Sequence, residues 1–149
     1  MNAPDVSERE VLALAERIRP ALLKASRSLR REAQRAGVSA LDAQLLGAIK
    51  KQAGVGVSAL AEREQMTSAS MSGHVKRLEA AGWVERAAAD AQDKRRFGLR
   101  LTPKGVRALD AIRRRRNDWL AGRLANLSRS ERDALAAAAG PLARLAEDR

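Results

Sequence analysis

Apolar positions recur at intervals of three and four through Val11, Leu14, Ile18, Leu22, Ala25 and Leu29, the stripe of a long amphipathic helix. Ser7-Glu8-Arg9-Glu10 ahead of it has the spacing of a capping box, which places the helix start. Pro20 interrupts the stripe and predicts a kink or a break near Ile18, while Gly37 closes the segment. Ser39 then caps a second helix with Leu41, Leu45, Leu46 and Ile49 on its buried face, ended by Gly54 and Gly56. Ser58 caps a short third helix, Ala59 to Arg63, and Thr67 caps a fourth from Ser68 to Ala81, stopped by Gly82.

The pattern then changes period. Val84-Glu85-Arg86 and Phe97-Gly98-Leu99-Arg100-Leu101 alternate as strands do, and the polar run from Asp90 to Arg96 between them predicts a hairpin with a basic tip. Thr102-Pro103 supplies an N-cap and a first-turn proline for a fifth helix carrying Val106, Leu109, Ile112, Trp119 and Leu120. A sixth starts at Ser128, boxed with Glu131, and is expected to bend or break at Gly140-Pro141. The fold class is therefore mainly α with a small β-hairpin, and the high alanine and leucine content agrees with it. There is no internal repeat and no low-complexity linker.

Charge narrows the function. Twenty-nine Lys and Arg against eighteen Asp and Glu leave a net +11, which draws in polyanions. Nucleic acid is the first candidate, an anionic membrane surface the second, and a device for solubility the third. The chain has no cysteine, which excludes disulfides, thiolate metal sites and thiol redox sensing, and His74 is its only histidine. Neither a secretory leader nor an apolar run of membrane-spanning length is present, so a cytoplasmic protein that does not enter the membrane is expected. No nucleophile–base pair, metal cluster or phosphate-cradling glycine loop points to an enzyme or a cofactor. Glu62 and Glu79 are separate helix residues, not an acid/base pair.

The fourth helix reads as a DNA-facing element. Met71, Val75 and Leu78 share one stripe and must face the core. Opposite lie Ala69, Gly73, Lys76, Arg77 and Ala80, with Ser68 at the helix start and Ser70 and Ser72 on the flanks. Small and hydroxyl side chains let such a helix sink towards base edges, while Lys76 and Arg77 reach phosphates or guanine. A serine-rich solvated helix start is the plainer reading of the same residues. His74 borders the core face and suits packing or a phosphate contact better than a pH switch. The consecutive run Arg113 to Arg116 spreads round its helix, as expected for solvent exposure and for pairing with acids across a dimer. Trp119 fits a core position better than a ligand pocket.

Ser58-Ala59-Leu60-Ala61-Glu62, Leu78-Glu79-Ala80-Ala81-Gly82-Trp83-Val84, Asp93-Lys94-Arg95 and Leu101-Thr102-Pro103-Lys104-Gly105 occur in this order with winged-helix spacing. Together they make the chain resemble the MarR family of winged helix-turn-helix transcriptional regulators over about residues 10 to 147. The resemblance implies one domain over residues 1–149. Its winged-helix DNA-binding part falls at about 39–105, and N- and C-terminal helical segments, 7–36 and 106–147, interlock two copies. It implies a repressor of palindromic operators whose partners are double-stranded DNA, a second copy of the chain and a small aromatic or anionic effector. An architectural or protein-binding winged helix without effector control is the competing reading. Arg95 takes the wing position that enters the minor groove in similar proteins, Lys94 and Arg96 meet phosphates, and Asp93 orients Arg95 or caps the loop. Arginines of the first and fifth helices suit an effector carboxylate, and the lack of cysteine excludes the peroxide-sensing branch. Two departures stand out. Gly73 replaces a longer polar or basic residue, consistent with either close backbone approach to DNA or weaker direct readout. Glu64 and Gln65 replace the usual glycine in the turn before the fourth helix.

Overall fold

The computed structural model describes residues 7–88 and 97–146. Helices α1 (Glu8–Arg35), α2 (Ala40–Lys51), α3 (Val57–Arg63) and α4 (Ser68–Ala80) precede an antiparallel hairpin of β1 (Val84–Ala88) and β2 (Phe97–Leu101). Helices α5 (Pro103–Leu124) and α6 (Arg129–Leu145) complete the chain. The predicted class, mainly helical with a small hairpin, is the one observed.

The caps explain the boundaries. Ser7 with Glu10 and Ser128 with Glu131 each form the reciprocal capping box, and Ser39, Thr67 and Thr102 each accept the backbone N–H three residues on. The two Ser128 hydrogen bonds hold the Glu131 carboxyl below its ordinary pKa, because they favour the ionised form. At the other ends, Gly37 and Gly82 take positive φ in Schellman closures, with Val38 donating to the Ala33 carbonyl and Trp83 to that of Leu78. The turn between α3 and α4 closes in the same way through Gln65 (φ 53°) and the bond from Met66 to the Ala61 carbonyl. Gln65 thus does the work of the missing glycine in a left-handed conformation that side chains disfavour.

Several boundaries correct the sequence reading. Helix α1 runs through Pro20 and α6 through Pro141 without a break. Each proline deletes one N–H, and the carbonyls left over, on Glu16 and Ala137, belong to exposed residues that water can reach. Helix α2 ends at Lys51, before Gly54, and Gly56 rather than Ser58 is the N-cap of α3. The cause is a third, minimal strand. Leu99 donates to the Val55 carbonyl and Gly54 to the Leu99 carbonyl, each at 2.8 Å, so the chain is fixed one residue before Gly56 and turns directly into helix.

The core lies under the hairpin. Leu45, Leu46 and Ile49 of α2, Leu60 of α3, Met71, Val75 and Leu78 of α4, Val84 and Leu99 of the hairpin, and Leu109 and Ile112 of α5 are buried together. Leu41 and Trp83 pack against this cluster from its edge. By contrast α6 buries none of its residues, and Val11, Leu12 and Leu14 of α1 stay exposed in the single chain. No helix among the described residues is long and apolar enough to cross a membrane.

Candidate nucleic-acid interface

Three buried residues, Met71, Val75 and Leu78, fix the roll of α4 against the core, so its opposite face must look outward. On that face Ser68, Ala69, Ser70, Gly73, Lys76 and Arg77 are exposed and Ser72 is half-buried. Ser70 also donates its backbone N–H to the Thr67 hydroxyl at 3.2 Å, leaving its own hydroxyl at the exposed first turn. Nothing lies within 4 Å of where a Cβ would stand at Gly73, so packing inside the protein does not require glycine there. Gly73→Ala is therefore expected to raise stability by about 1 kcal/mol in chemical denaturation, since a mid-helix glycine costs that much in backbone entropy.

The two basic residues of this face differ. Lys76 has no acidic partner among the described residues, whereas Arg77 reaches back to α2, its Nη2 lying 2.6 Å from Asp42 Oδ1. The same nitrogen lies 2.9 Å from His74 Nδ1, which places the half-buried His74 beside the guanidinium.

The hairpin is braced in like manner. Arg86 of β1 pairs with Glu79 of α4 at 2.9 Å, and Arg100 of β2 pairs with Glu85 of β1 at 2.8 Å. Thr102 donates its hydroxyl to the Gly82 carbonyl at 2.6 Å, and Lys104 Nζ donates to the Ala81 carbonyl at 2.9 Å. The Thr102–Lys104 segment thus satisfies the carboxyl end of α4 and places a cation at its negative pole. Asp93, Lys94, Arg95 and Arg96 lie outside the described residues.

The MarR family model matches residues 36–96, starting just after α1. An uncharacterized HTH-type transcriptional regulator of Mycobacterium bovis is 33% identical over 135 residues, which cover 91% of this chain and 94% of that protein. The chain belongs to the MarR family. A solved structure from Pseudomonas aeruginosa PA01 resembles it with TM-score 0.79 at 34% identity, over 95% of this chain and 98% of that one. A MepR mutant of Staphylococcus aureus, solved bound to an oligodeoxyribonucleotide, shares the fold with TM-score 0.67 at 19% identity, over 90% of this chain and 98% of that one.

In this MarR-family chain a cavity of about 500 Å³ opens between α1, α2 and α5, lined by Leu22, Leu29, Arg30, Ala40, Gln44 and Arg116, among others. Partial burial pulls the Arg116 guanidinium below its ordinary pKa, and its Nε donates to the Leu29 carbonyl at 3.2 Å. Gln44 also hydrogen-bonds Glu64 in the turn before α4. Arg113, Arg114 and Arg115 are exposed, as expected, and within the chain Arg115 lies 3.9 Å from the buried Glu32 and Arg113 4.0 Å from Asp110. One expectation changes. Trp119 is outside the core, half-buried, with the Arg123 guanidinium 3.8 Å above its ring. Sequence reasoning overlooked Asp42, Arg86 and Arg100. Asp42 reads locally as an ordinary first-turn acid, and its partner lies 35 positions away.

Proposed function

We propose that the chain is a homodimeric regulator that binds inverted repeats in double-stranded DNA and represses the genes beside them, until a small aromatic or carboxylate anion releases it. The observation that carries the reading is the exposed face of α4. It offers hydroxyls, a glycine and a Lys76 with no acidic partner among the described residues, and the sequence joining β1 to β2 contains Asp93-Lys94-Arg95-Arg96. Serines suit base edges, cations suit phosphates, and Arg95 suits the negative potential of a narrow minor groove. The MepR complex supports the choice of polyanion, since that protein carries DNA on the same fold.

Residues 39–105 form the DNA-binding part, and residues 7–36 and 106–147 the part that joins two copies. Two-fold symmetry then sets the recognition helices about 34–36 Å apart, one turn of B-form DNA. The cavity between α1, α2 and α5 is the place for the anion, with Arg116 and Arg30 as its cationic walls. Such a ligand acts only by preferring the geometry that does not fit DNA. The protein works in the cytoplasm and needs no cofactor.

Selection of bound duplexes from fragmented genomic DNA tests the reading. Enrichment of a short palindrome is expected; uniform retention of all fragments would instead mark an architectural DNA protein. On the enriched duplex, Arg95→Ala is expected to weaken binding by about 1–3 kcal/mol with folding intact. Equal titration curves for variant and wild type would remove Arg95 from the interface.

A further inference from the structure

We infer that Asp42 is a positioning residue of the DNA interface, acting through Arg77; the inference rests on the DNA-binding reading above. Asp42 is only 8% exposed, in the first turn of α2, where Ser39 Oγ accepts its backbone N–H at 3.0 Å. A carboxylate in such a place needs a cation, because a buried unpaired charge is expensive. The partner is Arg77, which lies on the exposed face of α4 rather than on its core stripe. Apart from apolar packing, α4 leans mainly on α3 and β1, so this ion pair is a polar tie from the recognition helix to α2.

Its geometry restricts what Arg77 can do. A guanidinium carries five N–H donors in a rigid fork. Nη2 lies 2.6 Å from Asp42 Oδ1 and 2.9 Å from His74 Nδ1, so its donors are directed into the protein. Nε and Nη1 are left for DNA, in a direction set by Asp42. Lys76, with no acidic partner among the described residues, has no such anchor. Arg77 is thus a preset contact whose cost in side-chain entropy is met before DNA arrives, and α4 is held at one roll relative to α2. Contacts to base edges depend on such placement; attraction to phosphates depends on charge alone.

The two can be separated by titrating the duplex enriched by the wild-type chain and an unrelated duplex of equal length. Asp42→Asn removes the anchor with little change in volume. Arg77→Lys keeps the charge and loses the fork. Each is expected to lower the affinity ratio between enriched and unrelated duplex by about tenfold, and the double variant to lose little more than either single one. Binding to the unrelated duplex should hold or tighten in Asp42→Asn, because a negative charge has gone. Ratios within twofold of wild type for both variants would overturn the inference. So would equal losses on both duplexes. Should Asp42→Asn melt at the temperature of the assay, Arg77→Lys decides alone, since its side chain is exposed and outside the core. A wild-type chain that retains no duplex at all sinks the DNA-binding reading itself, whereas enrichment with unaltered variant ratios sinks only the role of Asp42.

Discussion

Gly105→Ala is expected to destabilise the chain by about 3 kcal/mol, read as a lower midpoint in urea or guanidinium unfolding. A Cβ built on Gly105 would stand far inside contact distance of the Trp83 carbonyl oxygen and 2.9 Å from its carbonyl carbon. Neither neighbour can yield cheaply. The Trp83 carbonyl accepts the Thr102 N–H at 3.0 Å, and Gly105 itself donates to Thr102 Oγ1 at 3.0 Å as the capping bond of α5. Relieving the clash would part α5 from the start of β1 and loosen the clasp that Thr102 and Lys104 make on the end of α4. DNA affinity should therefore fall with stability. Gly73→Ala supplies the contrast: a glycine in open space whose replacement helps the fold. If the Gly105 variant unfolded at the wild-type midpoint, the close approach of α5 to Trp83 would be refuted.

The double substitution Leu120→Glu with Leu135→Glu is expected to turn a dimer into monomers in sedimentation velocity. It should also weaken binding to a palindrome by a hundredfold or more, because the second half-site is no longer tethered to the first. In one chain Leu120 is 41% exposed and Leu135 47%, and α6 buries nothing. An amphipathic helix with an apolar stripe that touches no core needs a partner, and each leucine buried against one contributes about 1.5–3 kcal/mol. A carboxylate in that seam forfeits this and must also be desolvated. A wild-type chain that sediments as a monomer at micromolar concentration would sink the dimer, and so would a variant that stays paired.

Local chemistry was legible in the sequence and distant chemistry was not. Ser7, Ser39, Thr67, Thr102 and Ser128 announce helix starts because a capping hydroxyl acts on a backbone three residues away. The core stripe of α4 follows from helical period alone, and the hairpin from alternation. Ser58 misled for a tertiary reason: the bridge from Val55 to Leu99 sets where α3 begins, and no local signal encodes it. Pro20 and Pro141 break neither helix, since the carbonyls they orphan, on Glu16 and Ala137, belong to exposed residues that water can reach. The tie between Asp42 and Arg77 was invisible, since a pair so far apart in sequence leaves no spacing to read. For the candidate interface, the exposed set on α4 could be named beforehand, but not the division between an Arg77 paired with Asp42 and a Lys76 with no acidic partner among the described residues.

If two copies pair as proposed, α6, which buries none of its residues within one chain, ties the exposure of its apolar stripe to the concentration of the protein. Once copies become scarce enough to separate, greasy surface at both ends of each chain lies open to proteases and chaperones.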